Sequence, residues 1–225
     1  MFRRLLIAFL LLIVVAVVAV DRVGEHVAAH VLAGQLQSDE HLQQKPDVSI
    51  AGIPFLTQVF GGKYHDVAVT ARDFKTSDGV TVTTLKVHLH DAHIPFSKVL
   101  SGSVKKVPVA RVDGTAYVSF GDLGRYLSGT GVSVRLERAG PHSVSVSGTS
   151  SLGGHPIPLN GVATVAVSHS VVSFSLSVTK RLKQLVLSVP LRGLPFRINL
   201  TSVTVGGDGI TAAGNAKRVT LGGNP

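Results

Sequence analysis

The chain has 225 residues, 44% of them hydrophobic and 5% aromatic, and a net charge of +9. This length and apolar content suit one domain with a sizeable core and exclude a disordered chain, while the complete lack of cysteine excludes a disulfide framework, thiol catalysis and cysteine-bound metal. The charge is uneven: residues 21–138 hold 13 Lys/Arg against 12 Asp/Glu, whereas residues 139–225 hold 7 against Asp208 alone.

In chain order, Arg3 and Arg4 precede 16 uninterrupted apolar residues, Leu5 to Val20, ended by Asp21. A basic start followed by an apolar run is an export signal or an N-terminal membrane anchor. Residues 1–20 are therefore expected to be that leader, and 21–225 the functional domain, placed outside the cytoplasm (periplasmic or cell-surface) and either secreted or anchored. There the abundant polyanions are anionic lipid headgroups and cell-wall polymers, so nucleic acid is not expected as a partner.

From Asp21 to Leu42 apolar residues recur at helical spacing, with Val23, Val27 and Val31 in one stripe and Ala28, Leu32 and Leu36 beside it. The pattern predicts an amphipathic helix that packs on a sheet or continues the anchor as a stalk. From Asp47 onward the period is two: Val67, Val69 and Ala71; Val80 and Val82; Leu85, Val87 and Leu89; Val132, Val134 and Leu136; Val172, Phe174 and Leu176. Roughly ten strands of a meandering antiparallel sheet follow. A phase slip at Thr83-Thr84 predicts a bulge. One short helix, Gly121 to Leu127, is expected to interrupt the strands, with Ser119 as its cap. Ile53-Pro54-Phe55, Ile94-Pro95-Phe96 and Leu194-Pro195-Phe196 each put a proline where a strand begins or ends, because proline cannot donate to a ladder.

Catalytic motifs are missing: the chain has no G-x-S-x-G elbow, Walker loop, G-x-G-x-x-G or H-E-x-x-H. Serines alternate with apolar residues, as in Ser143-Val144-Ser145-Val146-Ser147, which places them on solvent faces of strands. His88 and His90 share one face of a strand, with His93 nearby, but they interleave with Val87 and Leu89 as polar residues of a wet face do. No catalytic residue, metal or cofactor is expected.

An exported, aliphatic strand protein with one long amphipathic helix has a physical use for its composition. A sheet curled around that helix without closing leaves an elongated apolar groove, and such grooves hold acyl chains. A diacyl lipid offers on the order of 30 methylenes, worth some ~20 kcal/mol gross at about 0.8 kcal/mol each when removed from water. The expected architecture is α+β: a long N-terminal helix wrapped by a strongly curved antiparallel sheet in a single elongated domain.

Four stretches are similar to those of a known family: Asp21-Arg22-Val23 through Gln35-Leu36-Gln37; Ile50-Ala51-Gly52-Ile53-Pro54-Phe55-Leu56-Thr57-Gln58-Val59-Phe60-Gly61-Gly62-Lys63-Tyr64; Val67-Ala68-Val69; and Val112-Asp113-Gly114-Thr115-Ala116-Tyr117-Val118-Ser119-Phe120-Gly121-Asp122-Leu123. Together they resemble the LmeA family of actinobacterial envelope proteins. The resemblance covers about residues 21 to 127. It implies a fold similar to lipid-binding tubular proteins of the bactericidal/permeability-increasing type, and binding of anionic phospholipid such as phosphatidylinositol.

The expected function is thus non-enzymatic binding of anionic phospholipid outside the cytoplasmic membrane, in support of envelope lipid handling or lipoglycan assembly. Val69, Val87, Leu89, Val165, Phe174, Leu176 and Ile198 are the expected cavity lining. Phe55, Leu56, Val59 and Phe60 present too much apolar surface for an ordinary loop and are the expected membrane-docking lip. Lys63, Lys180, Arg181 and Lys183 are the expected headgroup contacts. Two other readings remain open: a module that holds a membrane glycosyltransferase or transporter, in which case a lipid-sized cavity is absent and the helix exposes a partner face, and an envelope hydrolase, in which case Ser, His and Asp converge in a pocket.

Overall fold

The computed structural model describes residues 2–39, 42–95, 107–151, 156–176, 185–191, 194 and 198–221. In chain order the elements are α1 (Phe2–Asp39), β1 (Asp47–Ala51), α2 (Phe55–Gly61), β2 (Lys63–Lys75), β3 (Thr81–His93), β4 (Val107–Ser119), α3 (Phe120–Gly129), β5 (Val132–Gly140), β6 (Ser143–Ser150), β7 (Ile157–Ser168), β8 (Val171–Leu176), β9 (Leu185–Pro190), β10 (Asn199–Val205) and β11 (Gly209–Leu221). The α+β class is as expected from the two periodicities. The Ile94-Pro95-Phe96 and Leu194-Pro195-Phe196 marks fall partly outside the described residues.

The strands form two antiparallel sheets, one in the order β1-β2-β3-β4-β11-β10 and one in the order β5-β6-β7-β8-β9, and neither closes on itself among the described residues. The chain leaves the first sheet after β4, crosses through α3, runs the second sheet as a meander and returns to pair β11 with β4. The two sheets are tied at the β5–β6 turn. There the Val205 N–H donates to the Pro141 carbonyl (2.8 Å), and His142 Nδ1 lies 2.9 Å from the Val203 carbonyl oxygen. Their inward faces share one apolar core.

Helix α1 lies against the edge strand β1 and against α2. Its packed side carries Ala29 and Ala33, with Ala28, Leu32 and Leu36 half-buried. Of the two apolar stripes read from the sequence, Ala28, Leu32 and Leu36 thus lie on the packed side, whereas Val23, Val27 and Val31 are exposed on the opposite side. The small side chains decide this, because they let helix and strand backbones approach more closely than valines would.

The slip at Thr83-Thr84 is present in the burial pattern but is not a bulge. Ala71 pairs with Leu85 and Phe74 with Val82 in unbroken register, so β2 and β3 skip a residue together, with Asp73 in the left-handed region (φ 50°). A second matched skip crosses four strands: Tyr64 to Val67, Leu89 to Ala92, Val109 to Val112 and Ala216 to Val219 are all buried three apart. They sit opposite one another in register, with Asp91 and Arg218 both at φ 51°. A shared skip keeps the same face inward and leaves the register on either side of it unchanged.

Helix α3 is capped as the sequence predicts. The Asp122 N–H donates to Ser119 Oγ (3.1 Å), and the Asp122 carboxylate accepts from Ser119 Oγ (2.6 Å), Thr83 Oγ1 (2.7 Å) and Arg125. Burial pushes this carboxyl up, but the bonds from Ser119, Thr83 and Arg125 outweigh it and leave it below the ordinary carboxylate range. A lowered pKa stabilises the fold above the unfolded value and loses that contribution as pH falls through the folded one. Stability is therefore expected to decline below about pH 4. Asp122→Asn should lower stability at neutral pH by about 1–2 kcal/mol and flatten the acid limb, as read by denaturant unfolding from pH 7 to pH 3.

Candidate functional site

The seven residues expected to line a cavity come from both sheets, and each is at most 5% exposed. Val69 and Val87 are direct cross-strand partners on β2 and β3, with Leu89 two places along β3. Val165 and Phe174 are partners on β7 and β8, with Leu176 two places along. Ile198 sits over Gly114, the partner of Val87 on β4, where a Cβ would stand 2.4 Å from Ile198 Cδ1. Gly114 therefore leaves the notch that lets Ile198 reach the first sheet. All seven belong to one contiguous apolar interior, packed side chain to side chain.

The segment expected to form a lip is a helix. α2 starts after Pro54 and ends at Gly62, whose left-handed φ of 63° lets its N–H reach the Gln58 and Val59 carbonyls. Buried Gln58 pins it to the sheet by donating to the Ala51 carbonyl (3.1 Å) and accepting from the His65 N–H (3.2 Å). Phe55 turns inward, against Tyr64 (ring centroids 6.4 Å) and the face of Gly24 on α1. Leu56 and Val59 are half-buried, whereas Phe60 is 70% exposed and Ile53, just before the helix, is 79% exposed. The outward apolar pair of this segment is thus Ile53 and Phe60. Nothing local in the sequence marks the exposure of Ile53, which reads there as the apolar neighbour of a strand-end proline.

The sequence also hid the role of Asp21. It reads there only as the end of the apolar run, yet its carboxylate is buried and accepts the Leu56 N–H (2.8 Å), fastening α2 to α1 one residue past the apolar segment.

Of the expected headgroup residues, Lys63 opens β2 and faces Asp91 at 3.8 Å. Lys180, Arg181 and Lys183 lie outside the described residues. A groove of about 470 Å³ between α1 and β1 carries other basic groups, His26, His30 and Lys45, with Lys45 Nζ 2.9 Å from His30 Nε2. Its acids are already engaged, Glu25 by Arg22 (3.1 Å) and Asp47 by Arg72 (3.2 Å).

His88 and His90 lie on the outer face of the first sheet. His88 Nδ1 is 3.2 Å from Asp66, and His90 Nε2 is 3.1 Å from Asp113, which is also held by Arg111. The hydrogen bond from Arg111 is the main cause of the lowered Asp113 pKa. Carboxylates from β2 and β4, invisible from the β3 sequence alone, are thus the partners of these histidines. Among the described residues no group of three or more His, Cys, Asp or Glu is arranged to hold a metal ion.

Residues 19–215 match a family described as LmeA-like phospholipid-binding. No curated protein and no solved structure matches the chain.

Proposed function

Because the chain belongs to the LmeA-like phospholipid-binding family, we propose that it binds an anionic phospholipid without catalysis, outside the cytoplasmic membrane, in support of envelope lipid handling or lipoglycan assembly. The observation that carries this reading is the family match, which runs from the end of the apolar run into β11. The apolar interior shared by two open sheets supports it. Contacts between the sheets are largely side chain to side chain, so acyl chains that part them replace one set of apolar contacts by another and break few ladder bonds. Arg3 and Arg4 ahead of the apolar run favour a cytoplasmic N-terminus, with the domain on the other side.

In this reading Val69, Val87, Leu89, Val165, Phe174, Leu176 and Ile198 line the acyl site. Phe55, Leu56, Val59 and Phe60 belong to the lip, with Phe55 as its inner wedge. Lys63 and the 180–183 cluster, together with the basic groove at Lys45, meet the phosphate through charge-assisted bonds that salt screens.

The full chain, incubated with mixed vesicles and re-isolated, should carry phosphatidylinositol, phosphatidylglycerol or cardiolipin in preference to phosphatidylcholine, less so as salt rises. Val87→Phe and Val165→Phe should each cut the extracted lipid severalfold while costing the fold about 1–3 kcal/mol. Normal uptake by both variants would show that the lining is elsewhere, and equal uptake of zwitterionic and anionic lipid at low salt would remove the role of charge.

One observation favours a second reading. The exposed ridge Val23, Val27 and Val31 is a face that a membrane-protein partner would cover. In that case the lipid assay fails, and crosslinks from this ridge reach a membrane protein.

A further inference from the structure

The apolar run Leu5 to Val20 holds 16 residues, about 24 Å of helix at about 1.5 Å per residue, against a hydrocarbon core of about 30 Å. The shortfall is about one helical turn, the length of Asp21 to Gly24. α1 continues through this turn without a break, and there the fold attaches α2. Three observations converge on the turn. The Asp21 carboxylate is withdrawn from its surroundings into the N-terminus of α2. Phe55 closes over Gly24, whose missing side chain lets α2 lie close to α1. Ile53 and Phe60, at the two ends of the same segment, remain exposed, as does Val23.

Arg22, in the same turn, adds a polar counterpart. It pairs with Glu25, and its Nη2, which lacks a hydrogen-bond partner, lies 3.8 Å from the Asp21 carboxylate.

We propose that the apolar leader is retained as a transmembrane anchor, and that α2, locked to it through Asp21, lies in the interfacial layer of the same bilayer, with Ile53, Phe60 and Val23 against the acyl chains and Arg22 at the level of the phosphates. The apolar collar makes up the missing length of the span. Asp21 can stand at that depth because its charge is met by the α2 backbone and by Arg22 rather than by water. The occupant of this surface is the membrane that already holds the anchor, so the collar forms without a separate binding step. The inference takes only the membrane side of the functional reading as its premise and stands apart from which lipid the interior holds.

The chain has no cysteine, so single labels are clean. Thr57, exposed on α2, and Val162, exposed on β7, are replaced by cysteine one at a time in the full chain, labelled with an environment-sensitive fluorophore and reconstituted in phosphatidylglycerol/phosphatidylcholine vesicles. The label at 57 should be quenched severalfold more by acyl-brominated lipid than the label at 162, and less by aqueous iodide. Asp21→Ala should lose at least half of that difference, and Asp21→Asn, which keeps an acceptor oxygen, should restore it. Intact mass of the chain taken from membranes should include residues 2–20. Equal quenching at 57 and 162, or a mass that lacks the apolar run, overturns the proposal, as does an Asp21→Ala variant that folds and keeps full quenching. If that variant does not fold, the comparison of 57 with 162 in the otherwise unaltered chain decides. A chain that carries phospholipid with position 57 in water sinks this inference alone, and a chain that passes the depth test but takes up no lipid sinks only the lipid-binding reading.

Discussion

Phe174→Ala is expected to cost about 3–5 kcal/mol, the largest loss from any of the seven inward side chains. Phe174 is 2% exposed and stands in the middle of β8, paired with Val165 on β7 and Leu187 on β9. In a chain with nine Phe and no Trp, little aromatic bulk is available nearby to close the void, and aliphatic neighbours held by strand register relax only in part. Urea unfolding of the full chain measures the loss. The same experiment bears on lipid binding, because an acyl chain abutting position 174 can occupy the space that alanine leaves. Added anionic phospholipid should then restore part of the lost stability, through binding to the folded state alone. A loss under about 1 kcal/mol would show that Phe174 is not packed in the interior.

Gly214→Ala should be nearly as severe for a different reason. A Cβ at this β11 position would stand 2.1 Å from the Asn199 carbonyl oxygen and 2.7 Å from Leu200 Cα. Both obstacles are backbone, so relief requires β10 to move away from β11, where Gly214 pairs with Leu200 and the register already shifts between Leu200 and Ser202. β10 carries Leu200, Val203 and Val205 into the core and bonds to the β5–β6 turn of the other sheet. Its displacement therefore loosens the tie between the sheets. The expected loss is above about 2 kcal/mol, with faster hydrogen exchange confined at first to β10 and the Pro141 turn. Gly114→Ala is the internal comparison: its Cβ meets the tip of Ile198, a side chain that can rotate, so it should cost clearly less. Equal losses for the two would mean that the close backbone approach at Gly214 is not what holds β10 in place.

Much of the fold is legible in the chain itself because it depends on neighbours in sequence. The first half of α1 shows as an unbroken apolar run, and the strands show because valine, leucine and serine alternate with a period of two. The α3 cap shows because Ser119 and Asp122 stand three residues apart, within reach of each other's polar atoms. The inward set Val69, Val87, Leu89, Val165, Phe174, Leu176 and Ile198 follows from the same alternation, since burying one face of a strand requires one parity.

What the alternation could not say is how the strands divide. Nothing local separates β4 from β5 as members of different sheets, or returns β11 to pair with β4, because the β4–β11 pairing joins residues about a hundred positions apart. The orientation of α1 was hidden for a related reason. Val23, Val27 and Val31 look like a packing stripe by hydropathy, but the partner strand needs close approach and takes the alanine side instead. Asp21 marks the end of an apolar run by its charge. That its carboxylate becomes the fastening for α2 depends on Leu56, thirty-five residues later, being carried there by β1 and Pro54. Local periodicity, turn residues and charge determined the elements and their buried faces. Only the tertiary structure decided which faces meet, because contact energy is shared between segments that the chain order keeps apart.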